Sequence, residues 1–96
     1  MNKEKYNEHM DKFSINEINT LIVMEKKGVR YKNPRDIYTI VDSLQNDYNM
    51  SRDEAFEALK HLEEIGYIEG RGNLLSLTEQ FDKKLYSKMG RTMENN

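Results

Sequence analysis

Apolar residues recur at helical spacing along most of this chain. In the first such segment they fall every three or four positions, which predicts a helix with one buried face. The helix is expected to begin at Ser14, because Ser14 and Glu17 form a capping-box pattern and Phe13 and Ile18 are spaced for a hydrophobic staple. Gly28 is its predicted end. Its predicted buried positions are Ile15, Ile18, Leu21 and Ile22.

Two further helices follow. The first is expected to open at Asn33 with Pro34 as its first residue, because that position leaves its N–H unpaired and proline has none. Its apolar positions are Ile37, Ile40, Val41 and Leu44. The next begins at Ser51, which repeats the capping-box pattern with Glu54, and ends at Gly66. Its predicted buried face consists of Ala55, Ala58, Leu59, Leu62 and Ile65.

A hairpin and a last helix complete the pattern. Gly70 and Gly72 separate two short strand-like runs, residues 67–69 and 74–77, and predict a tight turn between them. Thr78 then caps a helix. The expected fold is mainly α with a small β-hairpin (α+β). We predict an N-terminal arm or short helix over residues 1–13, one domain over residues 14–89, and a disordered tail over residues 90–96.

The composition argues against several function classes. The 96 residues can bury one modest core. They include no cysteine, which excludes disulfides and thiolate zinc sites, and the two histidines, His9 and His61, have no carboxylate at a metal-ligand spacing. No nucleophile elbow or phosphate-binding glycine loop is present. We therefore expect no enzyme activity, metal or cofactor. The longest aliphatic run, residues 21–24, is too short to cross a membrane, so we expect a cytoplasmic protein.

The third helix and the hairpin carry a family resemblance. A pattern of the form LxxLExxGYI followed by LT is made by Leu59, Leu62, Glu63, Gly66, Tyr67, Ile68, Leu77 and Thr78. Through this pattern the chain resembles MarR-like and PadR-like regulators over roughly residues 14–89. This resemblance implies a winged helix-turn-helix fold, with the third helix entering the major groove of DNA. It concerns mostly residues that build the core, so it indicates the fold more strongly than the partner.

Charge complicates this implied function. The net charge is −2, and residues 51–65 carry two basic against five acidic side chains, a local charge of −3. Phosphates should repel such a helix. Residues 26–35 offer compensation, with five cations and no acid, although such a run is often only a solvated loop.

We expect bases to be read by Arg52, Glu57, Lys60 and His61, and Arg71 to probe the flanking DNA. Phosphates would be held near the second helix by Lys32, Asn33 and Arg35, and Ser51 would stand at the start of the reading helix. Phe56 is expected either to complete the core or to form an exposed apolar contact. The predicted DNA-binding residues are Lys32, Asn33, Arg35, Ser51, Arg52, Glu57, Lys60, His61 and Arg71.

The last helix repeats Phe81, Leu85 and Met89 at intervals of four. We predict that these residues form a homodimer interface, which would set two reading helices about 34 Å apart on DNA. The first hypothesis is thus a dimeric, sequence-specific regulator of transcription, acting as a repressor on double-stranded DNA. The second is a protein-binding module, an anti-repressor or complex subunit, whose acidic third helix docks on a basic partner.

Overall fold

The computed structural model describes residues 13–94, with side chains described as far as Tyr86. This part of the chain is mainly helical with one small antiparallel sheet, in agreement with the predicted α+β class. Residues 1–12 of the predicted arm lie outside the described residues, and its last residue, Phe13, is buried. The backbone of the last helix continues past Gly90, where we placed the start of the tail. The elements are α1 (Ile15–Lys26), β1 (Arg35–Asp36), α2 (Ile37–Tyr48), α3 (Arg52–Glu64), β2 (Ile68–Arg71), β3 (Leu74–Leu77) and α4 (Glu79–Glu94).

Two helices begin as predicted. The Ser14 hydroxyl accepts a hydrogen bond from the backbone N–H of Glu17 at 3.2 Å, and Glu17 Oε1 accepts from the Ser14 N–H at 2.9 Å. Ser51 and Glu54 form the same reciprocal pair at 3.1 and 2.9 Å. Each pair satisfies two backbone donors that the first helical turn leaves without a partner. The capping boxes of α1 and α3 are therefore confirmed.

The predicted start of α2 is wrong. The helix begins at Ile37, and its N-cap is Asp36, whose carboxylate accepts from the Tyr38 N–H at 2.8 Å. Asn33 instead closes the turn after α1, because its side chain donates to the carbonyl of Gly28 at 2.8 Å. Pro34 consequently precedes a short extended segment rather than a helix.

That extended segment is a third strand that the sequence did not predict. Arg35 pairs with Leu75 and Asp36 with Leu74, so β1 joins the outer side of β3 and the sheet has the order β1-β3-β2. The predicted hairpin is confirmed, with Arg71 paired to Leu74 across a two-residue turn. The sheet thus connects the start of α2 to the hairpin.

The core lies between the helices and one face of the hairpin. Two predicted core positions are wrong, since Ile15 is 63% exposed and Ile65 is 41% exposed. Ile15 is the first residue of α1 and Ile65 is the C-cap of α3, so both stand at helix ends. The main core side chains are Ile18, Leu21, Ile22, Val23, Met24, Ile40, Val41, Leu44, Ala55, Leu59, Leu62, Ile68, Leu75, Leu77, Phe81 and Leu85.

Tyr67 connects three parts of the fold through its ring. It stacks on Phe81 of α4 with centroids 4.3 Å apart and an interplanar angle of 7°, and meets Phe13 edge-on at 5.3 Å. Phe81 and Leu85 are buried within their own chain. The prediction that these two side chains form a dimer interface is therefore not supported, because they have almost no surface left to offer a second copy. The side chain of Met89 lies outside the described residues.

Candidate nucleic-acid interface

The hairpin turn and the starts of α2 and α3 meet on one side of the domain. The backbone N–H of Ile37 donates to the carbonyl of Asn73 in the turn at 2.7 Å. The guanidinium of Arg52, the first residue of α3, lies 5.7 Å from the centroid of the Tyr38 ring in α2. We call the surface formed by residues 36–38, 51–52 and 71–74 the N-terminal face. It combines a hairpin turn with two helix N-termini, whose backbone dipoles favour anions.

Arg71 is a highly exposed cation on this face. Its side chain is 85% exposed, and its Nη2 lies 3.8 Å from Glu69 Oε2, too far for a hydrogen bond. The turn beside it needs Gly72, which has a φ of +61°. In the strand register Arg71 stands opposite Leu74, which in turn stands opposite Asp36. The predicted position of Arg71 at a hairpin turn is therefore observed, with an exposed guanidinium.

Arg52 rests against two aromatic rings. Besides Tyr38, it lies 5.2 Å from the centroid of Phe56, which is one helical turn further along α3. Phe56 is partly buried and packs against the core, which is the first of the two roles considered for it. Tyr38 is 43% exposed. The sequence did not identify Tyr38, because only the packing of α2 on α3 brings it to Arg52.

The residues expected to hold phosphates are partly engaged within the chain. The Nε of Arg35 donates to the carbonyl of Lys27 at 3.0 Å, at the end of α1. Asn33 bonds to Gly28, as described above, and Lys32 is exposed in the same loop. The two Nη groups of Arg35 take no part in that hydrogen bond, whereas the amide nitrogen of Asn33 is the donor that holds the loop to Gly28. Lys32 and Arg35 therefore match the predicted role better than Asn33 does.

Arg30, in the same loop, is bound to α4. Its Nε and Nη2 donate to the carboxylate of Asp82 at 2.9 and 3.0 Å, and its guanidinium lies 3.8 Å from the Tyr86 ring centroid. The hydrogen bond with Asp82 holds the pKa of Arg30 above its usual value. One of the five cations in residues 26–35 is thus largely neutralised.

The same contact also shifts the pKa of the Asp82 carboxylate. Burial acts to raise its pKa, but hydrogen bonds from Arg30 and from the Tyr31 N–H outweigh burial and hold the pKa below its usual value. Burial also raises the pKa of the Tyr86 hydroxyl, against the opposing charge of Arg30. This cluster was not predicted from the sequence, because its charged partners are 52 residues apart.

The exposed side of α3 borders an acidic groove against the start of α1. The groove has a volume of about 940 Å³, and the side chains around it include four glutamates against one lysine. Glu57 and Lys60, two of the predicted base-reading residues, are exposed along it. The charged and polar lining residues are Ser14, Asn16, Glu17, Glu54, Glu57, Lys60, His61 and Glu64.

His61 at this groove and Ser51 at the start of α3, both predicted to bind DNA, have contacts within the chain. The Nδ1 of His61 contacts Oε2 of Glu17, a carboxylate that is only 7% exposed. The Ser51 hydroxyl accepts from the N–H of Glu54. The other ring nitrogen of His61, Nε2, is not part of its contact with Glu17. Ser51 acts as a helix cap.

Over the described residues, no group of three or more His, Cys, Asp or Glu side chains is arranged to hold a metal ion. No helix in this part of the chain has the length and apolarity needed to cross a membrane. No protein-family model, curated protein or solved structure matches the chain.

Proposed function

We propose that this chain is a winged helix-turn-helix protein that binds duplex DNA sequence-specifically and regulates transcription. The observation that carries the proposal is the N-terminal face, where a hairpin turn lies beside the starts of α2 and α3. The order of elements and the sheet order β1-β3-β2 support it, because a winged helix has a helix-turn-helix followed by a hairpin.

The cations around this face match the parts of a duplex that such a domain meets. Arg52, at the start of α3, is suited to a bidentate contact with the O6 and N7 of guanine in the major groove. Arg71 at the turn can reach a phosphate or the minor groove. Lys32 and Arg35 precede α2, where helix N-termini commonly bind phosphate. Few residues therefore contact the backbone, and base contacts supply much of the selectivity.

The acidic groove limits the affinity for DNA of any sequence. With Lys32, Arg35 and Arg71 as the phosphate contacts, the logarithm of the binding constant should fall against the logarithm of salt concentration with a slope of about −3. Such a protein would repress by covering a promoter. A homodimer would double these contacts, and with Phe81 and Leu85 in the core its interface would use other residues.

Binding of a fluorescent random duplex at low and moderate salt tests this function. Arg71→Ala and Arg35→Ala should weaken binding to all sequences and make the salt slope shallower by about 1 each. Lys84→Ala is the matched control, because it removes the same charge from an exposed residue of α4, which is not part of the N-terminal face. A wild-type chain that is not retained by duplex at low salt, or equal losses for Lys84→Ala and Arg71→Ala, would contradict the proposal.

A second candidate function is suggested by the acidic groove itself. Its four glutamates complement a basic segment of a partner protein, which would make the chain a protein-binding module. The double change Glu57→Gln with Glu64→Gln separates the two functions. It should strengthen binding to random duplex if DNA is the ligand, because it removes repulsion of phosphates. It should weaken binding to a lysine-rich peptide if the groove holds a protein.

A further inference from the structure

The ring contacts of Arg52 join α2 to the first residue of α3. The guanidinium carbon lies 5.2 Å from the Phe56 centroid and 5.7 Å from the Tyr38 centroid. Both distances fall within the range of cation–π attraction, about 6 Å. Because the rings belong to different helices, they fix the guanidinium relative to the helix-turn-helix as a whole, and not only to α3.

We propose that Tyr38 and Phe56 are positioning residues for Arg52, which hold its guanidinium ready for a guanine edge. This inference rests on the proposed function. Aromatic contacts engage the face of a guanidinium, whereas bidentate hydrogen bonds to O6 and N7 use its N–H edge. The two interactions are therefore compatible, and the rings can stay in place when the base is bound.

The expected benefit comes from conformational entropy. A long arginine side chain samples many rotamers, and ordering such a side chain on binding weakens affinity by about three- to tenfold. The rings reduce this loss because they order the guanidinium before DNA arrives. Removal of the Tyr38 ring should therefore weaken binding to the preferred duplex by about three- to tenfold and leave the affinity for random duplex unchanged.

Tyr38 could alternatively contact DNA through its hydroxyl. It is the second residue of α2, close to where a phosphate would lie. Tyr38→Phe separates the two roles, since it keeps the ring and removes the hydroxyl. Under our proposal Tyr38→Phe binds like the wild type. If Tyr38→Phe loses as much affinity as Tyr38→Ala, the positioning role is overturned.

A double-mutant cycle gives the sharpest test. The wild-type chain is first used to select its preferred duplex from a random library, and the four proteins carrying neither, either or both of Tyr38→Ala and Arg52→Ala are titrated with that duplex. Arg52→Ala should relax base preference at one guanine. In the Arg52→Ala background, Tyr38→Ala should have no further effect. An equal loss in both backgrounds, or on random duplex, would overturn the inference.

A measurement on the free protein distinguishes this inference from the proposed function. The rings should shift the NMR signals of the Arg52 side chain upfield, and Tyr38→Ala should move them back towards values of an unstacked arginine, whereas Tyr38→Phe should not. Duplex binding by the wild type with Arg52 signals unchanged in Tyr38→Ala would overturn this inference alone. A wild-type chain that binds no duplex would overturn the proposed function and this role with it.

Discussion

Arg30 and Asp82 form a two-point ion pair that fastens the loop after α1 to α4. Two nitrogens of Arg30 donate to the two carboxylate oxygens at 2.9 and 3.0 Å, and the backbone N–H of Tyr31 donates to Asp82 at 2.7 Å. Together with the contact of Arg30 with the Tyr86 ring, this pair joins the basic loop to the last helix. Its strength bears directly on the stability of the fold.

Asp82→Asn should lower the free energy of unfolding by about 1 kcal/mol, because it removes a charge-assisted pair that solvent partly screens at Arg30. Urea unfolding followed by circular dichroism measures the change. Glu79→Gln is the control, since it breaks an exposed pair with Lys83 on the same helix, for which about 0.3–0.5 kcal/mol is expected. Equal losses in the two variants would indicate that the Arg30 contact stabilises the fold no more than an exposed ion pair does.

The same pair predicts a dependence of stability on pH. The pKa of Asp82 is lowered in the folded chain, so its contribution is fully present above the ordinary aspartate value of about 3.9 and is lost as the pH falls through the lowered value. The stability difference between the wild type and Asp82→Asn should therefore be larger at about pH 7 than at about pH 3. Unfolding at both pH values tests this, and a difference that grows in acid would contradict it.

Glu17 and Glu54 offer a matched comparison of two capping boxes. Both accept from a serine N–H, but Glu17 is buried and also contacts His61, whereas Glu54 is exposed. Glu17→Ala should lower the free energy of unfolding by about 2 kcal/mol and Glu54→Ala by about 0.5–1 kcal/mol. Thermal or urea unfolding measures both. A loss in Glu54→Ala as large as that in Glu17→Ala would mean that the His61 contact does not stabilise the fold.

Phe81→Ala tests whether Phe81 belongs to the core or to a dimer interface. Because Phe81 is a core residue stacked on Tyr67, its replacement by alanine should lower the free energy of unfolding by about 3–5 kcal/mol at any protein concentration. Gln80→Ala, at the exposed neighbouring position, is the control. If the loss in Phe81→Ala disappears on dilution, the side chain stabilises an assembly instead of its own domain.

Local signals in the sequence predicted the ends of α1 and α3 well. Ser14, Ser51, Gly28 and Gly66 act through backbone hydrogen bonds or dihedral angles within a few residues, so their effect can be read from adjacent letters. Ile15 and Ile65 were assigned to the core from the helical spacing of the apolar residues. They lie outside it, because periodicity fixes the direction of a side chain but does not reveal where the neighbouring elements end.

The error at the start of α2 has a different cause. Asn33 and Pro34 match the pattern of a helix start. In the structure, however, the Asn33 side chain donates to the carbonyl of Gly28. The residues after Pro34 pair with Leu74 and Leu75 in the sheet. Tertiary packing likewise decides that Phe81 faces its own core. For the candidate site, Arg52 and Arg71 were identified from residue type and position, whereas Tyr38 and the Arg30–Asp82 pair depend on contacts between distant segments.

The ring of Tyr67 has a consequence for how this chain can be divided. It touches Phe13 at one end of the described sequence and Phe81 near the other, so segments that are far apart in the chain must come together before any of them is fully packed. Folding should accordingly be cooperative, with no half that is stable by itself. A fragment that stops before α4 would leave an aromatic face bare and should aggregate or remain unfolded.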